Sequence, residues 1–199
     1  AGRSAQELDR TVQEDATIVF ADLVGFTPRS LELPADEVMA TVRSLFELAV
    51  PLLVRHRVRP LSCLGDGLLA VAQGDAHEER GARFALDLVR RATRVSAVRG
   101  ALGDAWSLDM RGGVASGRVV LGAIGTLFKR EFAAIGPTTN LAARLQASAA
   151  PGEVVVSGTC PIVTHAAFDP LADALVLKGY ADRVDATRYR PVATRTGTR

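Results

Sequence analysis

Apolar positions change their spacing several times along this chain, and each change predicts an element. Thr17-Ile-Val-Phe-Ala21 is a β-branched apolar run of the buried-strand type. From Pro34 to about Val58 the spacing becomes helical, with Val38, Val42, Leu45, Phe46 and Ala49 on one face. Pro34 suits the first turn of that helix, whereas Pro51 is expected to kink or split it. Leu61–Ala72 reads as a strand, a tight Gly65-Asp66-Gly67 turn and a second strand. His77–Val98 is a second helix, with Ala82, Ala85, Leu86, Val89 and Thr93 on its apolar face. Trp106–Ala115 and Val119–Ile124 read as two strands joined by Ser116-Gly117-Arg118. Phe132–Ile135 is a short strand and Pro137–Ala149 a third helix. Glu153–Ser157, Ala174–Leu177 and Thr187–Tyr189 are the last strands expected. Residues 1–15 are polar, with charges of both signs, and read as a linker or frayed helix. The Thr- and Arg-rich tail, 191–199, is expected to be disordered. One domain thus covers 16–190. The order β-α-β-β-α-β, with further β and one α, predicts an α+β fold. Its core is ferredoxin-like (βαββαβ), with extra C-terminal strands and helices on one face of an antiparallel or mixed sheet.

Composition narrows the function. The 199 residues are 48% hydrophobic and 23% charged, as in a soluble domain with a sizeable core. A net charge of +2 gives no sign of nucleic-acid binding, and 5% aromatic residues do not build a base-stacking platform. Cys63 and Cys160 belong to no CxxC pair or Cys/His cluster, which argues against zinc. Cys63, in an apolar run, reads as a small core residue. No apolar run approaches the roughly 20 residues that cross a bilayer. A cytoplasmic location is expected, with any membrane attachment left to domains outside this chain.

Three sets of residues carry candidate chemistry. Asp22 ends a buried strand and precedes Leu23-Val24-Gly25-Phe26-Thr27-Pro28. A carboxylate at that place is costly to bury unless a cation or donor meets it, although capping a turn is an equal alternative. Gly25 allows a sharp turn whose following N–H groups, leading toward a helix start, could cradle phosphate oxygens. Asp66 sits in the Gly-Asp-Gly turn, where Asp is also an ordinary hairpin residue. If the hairpin neighbours the first strand, the two carboxylates converge and repel unless divalent metals lie between them. Asn140 and Arg144, four apart on the third helix, share a face beside the Leu141/Leu145 stripe. They form either a solvated surface or a phosphate- and sugar-binding pair.

In this order the motifs resemble the class III adenylyl/guanylyl cyclase catalytic domain, a nucleotidyl cyclase. The likeness covers roughly residues 16–190. It rests on Phe20-Ala-Asp-Leu-Val-Gly-Phe-Thr27, Leu64-Gly-Asp-Gly67, Met110-Arg-Gly-Gly-Val-Ala-Ser-Gly117 with Gly122 and Gly125, Ile135-Gly-Pro-Thr-Thr-Asn-Leu-Ala-Ala-Arg144 and Leu177-Lys-Gly179. The resemblance implies that Asp22 and Asp66, with Leu23, hold two Mg²⁺ or Mn²⁺ ions per site. It implies that Val24, Gly25, Phe26 and Thr27 form a triphosphate-binding turn and that Arg111 and Lys178 contact phosphates. It also implies that Asn140 orients the ribose and Arg144 stabilises the transition state. The implied assembly is a head-to-tail homodimer. One protomer supplies the aspartates and Arg111; the other supplies Asn140, Arg144, Lys178 and the base pocket. The substrate is a nucleoside triphosphate, ATP on family frequency, with GTP or a pyrimidine triphosphate as alternatives. Two base-reading positions match neither usual pattern: Ser62 and Ala133 stand where an adenylyl cyclase commonly has Lys and Asp or Thr, and a guanylyl cyclase Glu and Cys. Backbone groups at Ala134 then contribute to base reading. The retained Asp22, Asp66, Asn140 and Arg144 favour an active enzyme over a nucleotide-binding regulator without catalysis.

Overall fold

A computed structural model describes residues 11–101, 108–125 and 130–192. Among these, the strands are β1 (Val12–Leu23), β2 (Arg59–Leu64), β3 (Gly67–Gln73), β4 (Met110–Gly125), β5 (Arg130–Ile135), β6 (Val154–Ser157), β7 (Phe168–Leu175) and β8 (Val184–Pro191). The helices are α1 (Phe26–Glu32), α2 (Ala35–His56), α3 (His77–Ala101) and α4 (Pro137–Ser148). The sheet order is β2-β3-β1-β4-β6-β8-β7, with β5 pairing only to β4. The run β2-β3-β1-β4 is antiparallel throughout and closes the expected ferredoxin-like core. β4 and β6 are parallel, which makes the whole sheet mixed.

Alternation along β1 decides what faces what. Val19, Ala21 and Leu23 belong to one core with α2 and α3, alongside Leu45, Leu52, Phe84 and Leu88. Ile18 belongs to a second core on the other face, with Ala115, Leu145 of α4 and Val155. The expected arrangement with helices on one face is therefore corrected: α2 and α3 cover one face and α4 the other. Asp22 shares the parity of Ile18 and Phe20, so it opens on the α4 side.

Several boundaries also differ from expectation. β1 begins at Val12, because residues 12–15 pair with the far half of β4, from Val12↔Leu121 to Asp15↔Arg118. Its first half is mostly exposed and polar, and so lacks a burial signal in the sequence. The two strands expected around Ser116-Gly117-Arg118 are one 16-residue strand, β4, paired to β1 across all three residues; Trp106 and Ser107 lie outside the described residues. α2 runs unbroken through Pro51, whose side is exposed while Leu45, Ala49, Leu52 and Leu53 are buried. Packing on both sides of the proline outweighs its local cost of about 3 kcal/mol. Cys63 is exposed instead of core, since β2 is an edge strand.

α4 lies unusually close to β4. A Cβ added at Gly113 would stand 2.2 Å from the Gln146 backbone nitrogen and 2.3 Å from the Ala142 carbonyl oxygen. Both obstacles are helix backbone, which cannot swing aside. Gly113→Ala is expected to destabilise the domain by about 3 kcal/mol, at the upper end of overpacking costs. A thermal melt would check this: a midpoint unchanged within a degree would refute the contact.

Candidate active site

β3 pairs beside β1, so the β2–β3 turn meets the end of β1. Asp22 is opposite Gly67, and the Leu23 N–H donates to the Asp66 carbonyl at 3.1 Å. The two carboxyl groups, 44 positions apart by residue number, come close enough to share a hydrogen bond. The Asp22 carboxyl is pushed up to about 6, first by burial and then by the negative charge of Asp66. Arg111 and Gln146 oppose that shift. Arg111 is the cross-strand partner of Asp22 on β4, with Nη2 3.7 Å from Asp22 Oδ2. Arg111 Nε is buried and has no hydrogen-bond partner, so one strong donor at the site is unspent. Gln146 Nε2 donates to Asp22 Oδ2 at 3.2 Å.

Asp22, Asp66 and Gln146 border a cleft of ≈ 260 Å³ that also touches Phe20, Ser62 and Leu69. Immediately after Leu23 the chain turns. The Val24 N–H donates to the Asp109 carbonyl at 2.8 Å, and Gly25 takes φ 71°, a left-handed conformation. A side chain at Gly25 would have room, so the restriction there is torsional. Phe26 and Thr27 then begin α1, a helix with no buried residue and hence no apolar pattern to announce it.

The donor set suits a hard divalent cation. Asp22 and Asp66 provide oxygen ligands, and no group of three or more His, Cys, Asp or Glu suited to a metal occurs among the described residues. A pair of carboxylates does not complete an octahedral shell, so phosphate oxygens and water must fill the rest, as Mg²⁺ usually requires. The raised Asp22 carboxyl marks an excess of negative charge that such a cation would relieve.

Other residues singled out in the sequence lie elsewhere. Asn140 and Arg144 are exposed on α4, opposite the face carrying buried Ala142 and Leu145. Lys178 is exposed in the turn between β7 and β8. None of these three borders the cleft. Ser62 borders the cleft, whereas Ala133 lines a separate hollow of ≈ 70 Å³ with Thr11, Gly122 and Ile135. The reason is strand alternation, since Phe132 and Ala134 on either side face the α4 core. The Ala134 carbonyl already accepts the Thr139 hydroxyl at 3.3 Å. Gln146 was missed in the sequence. It reads there as one more polar residue of a helix, and only its burial, at 9% exposure, sets it apart.

Known proteins offer a direct comparison. The family model for the adenylate and guanylate cyclase catalytic domain matches residues 8–178. An adenylate cyclase of Mycobacterium tuberculosis is 27% identical over 148 residues, 72% of this chain and 32% of that protein. Human atrial natriuretic peptide receptor 2 is 30% identical over 166 residues, 78% of this chain and 16% of that protein. The chain thus spans about a third or less of the length of these relatives. Among solved structures, the guanylyl cyclase Cya2 superposes with a TM-score of 0.80 at 22% identity, covering 94% of this chain and 96% of that one. The adenylyl cyclase CyaB from P. aeruginosa gives 0.79 at 19% identity, covering 94% and 100%. Both likenesses establish the fold. No helix among the described residues is long and apolar enough to cross a membrane. From the extent of the family match and the shared architecture, the chain belongs to the adenylate and guanylate cyclase catalytic domain family, the class III nucleotidyl cyclases.

Proposed function

We propose that this chain converts a nucleoside triphosphate, ATP first among them, to a 3′,5′-cyclic nucleotide and pyrophosphate at a site completed by a second copy of itself. The observation that carries the reading is the meeting of Asp22 and Asp66 at one cleft beside Arg111. Two bound Mg²⁺ or Mn²⁺ ions would activate the attacking ribose oxygen and offset charge on the leaving group. The remaining work is positioning and electrostatics. Asp22 and Asp66 hold the ions, and the Val24–Thr27 turn cradles the triphosphate. Arg111, beside Asp22, steadies the departing pyrophosphate with its guanidinium charge. A bond forms between the ribose 3′-oxygen and the α-phosphorus as the bond to pyrophosphate breaks.

The exposure of Asn140, Arg144 and Lys178, away from their own cleft, supports a head-to-tail homodimer. In such a dimer the partner subunit's copies of these side chains orient the ribose and stabilise the phosphoryl charge. Arg144 suits the transition state because its planar fork donates two hydrogen bonds at once. The reaction belongs in the cytoplasm, where its substrate is found.

Base reading falls to little more than the Ser62 hydroxyl, which can both donate and accept. One such contact discriminates by about 1–3 kcal/mol, so ATP and GTP should differ by less than roughly a hundredfold in kcat/KM. Incubation with each of the four NTPs and Mn²⁺ or Mg²⁺ tests both claims. No cyclic product from any of them refutes the enzyme. A preference above about ten-thousandfold refutes the weak base pocket.

A further inference from the structure

We propose that Gln146 is a positioning residue: its amide fixes the Asp22 carboxylate in the orientation that receives the metal ion. The inference rests on the cyclase reading above, and it concerns a side chain with no assigned part in it.

Three observations converge. Gln146 is buried at 9% exposure, unusual for a polar residue on a helix surface unless it has a partner. The partner its side chain reaches is Asp22 Oδ2, at 3.2 Å. The contact also depends on a specific backbone approach. Gly113 lets α4 settle until the Gln146 nitrogen would be 2.2 Å from a Cβ built there. The same strand supplies Arg111 to Asp22 two residues earlier. Asp22 Oδ2 is therefore met from two sides, by the amide from α4 and the guanidinium from β4. Neither contact uses Oδ1. Glutamine suits this place because it donates without charge. A cation there would compete with the metal, and a carboxylate would add to the repulsion between Asp22 and Asp66. A ligand carboxylate held by an outer hydrogen bond binds its metal better, and removing such a bond typically costs 10–100-fold in affinity.

The test is Gln146→Met, which keeps the volume and removes the amide. Mn²⁺ is titrated calorimetrically into the protein with saturating 3′-deoxy-ATP, which lacks the attacking hydroxyl and does not turn over. The expected result is Mn²⁺ binding about tenfold weaker than wild type, with kcat for ATP lowered and KM changed by less than about threefold. Equal Mn²⁺ affinity in variant and wild type overturns the proposal. Wild-type protein that takes up no Mn²⁺ with the analogue overturns the cyclase reading and this proposal with it. Should the Met variant fail to fold, Gln146→Asn, one methylene too short to reach Asp22, is measured in the same way.

Mixed dimers separate positioning from a general effect on α4. In a dimer of Asp66→Ala and Arg144→Ala subunits, one site is intact, and its aspartates come from the Arg144→Ala subunit. Gln146→Met is expected to lower activity when carried by that subunit and to leave it unchanged when carried by the other. Equal loss in both placements means that the side chain merely supports the helix, and it too overturns the proposal.

Discussion

Replacing Asp22 by Asn should abolish cyclisation, by at least about a thousandfold in kcat, while making the metal-free domain more stable at neutral pH. The two effects share one cause. In the metal-free domain Asp22 is pushed from 3.8 up to about 6, by burial first and then by Asp66. Between those values the folded state binds more protons than the unfolded state, so stability falls as pH rises across that window. The stabilising contribution is fully present below pH 3.8 and lost above about 6. A shift of this size corresponds to about 2–3 kcal/mol, and the neutral amide removes most of that loss. The variant should therefore melt several degrees above wild type at pH 7 without metal, and the gap should close toward pH 4. Added Mn²⁺ with nucleotide should reverse the order, since only wild type gains from the ions. A less stable Asn variant at pH 7, or one that turns over normally with ample Mn²⁺, would remove Asp22 from the metal site. This is the exchange of stability for activity usual where like charges are held together for function.

Equal amounts of Asp66→Ala and Arg144→Ala protein, each inactive alone, should regain about a quarter of wild-type activity when mixed. Random pairing makes half of the dimers mixed, and each mixed dimer has one of its two sites whole. The expectation follows from the exposure of Asn140 and Arg144 on the side of α4 away from its own core. The loss in each single variant should be large, because an uncompensated phosphoryl charge or a missing metal ligand each removes stabilisation specific to the transition state. Activity that stays at the level of the separate variants, at any ratio and after time for exchange, would count against a shared site.

Much of the site could be read from the sequence because its parts sit in distinctive local settings. Asp22 interrupts an apolar strand, and Asp66 lies in a glycine-bracketed turn between apolar runs. Both are visible without knowing what pairs with what. Gln146 had no such setting, because its significance comes from a helix settling on Gly113 far away in the chain. The fold followed the same rule. Buried strands and amphipathic helices announced themselves, and the ferredoxin-like core expected from their order is found as β2-β3-β1-β4. The polar start of β1 and the short α1 did not, since neither has a run of fully buried side chains, and only Phe26 of α1 packs partly against the core. Ser116-Gly117-Arg118 has turn-like composition, yet pairing to Asp15, Ala16 and Thr17 keeps it extended. Tertiary pairing overrode local preference at that point.

The central position of β1 governs when the protein becomes competent during synthesis. Its neighbours β3 and β4 are made later, and the Gln146 contact spans 124 positions. Ribosomes extend chains at about 5–20 residues per second, and pairings between distant segments close slowly. A nascent chain ending before α4 therefore exposes the strand that bears Asp22 without the pieces that cover it. Truncated products would be sticky and inert instead of partly active, and helper proteins that shield apolar edges would act during that interval.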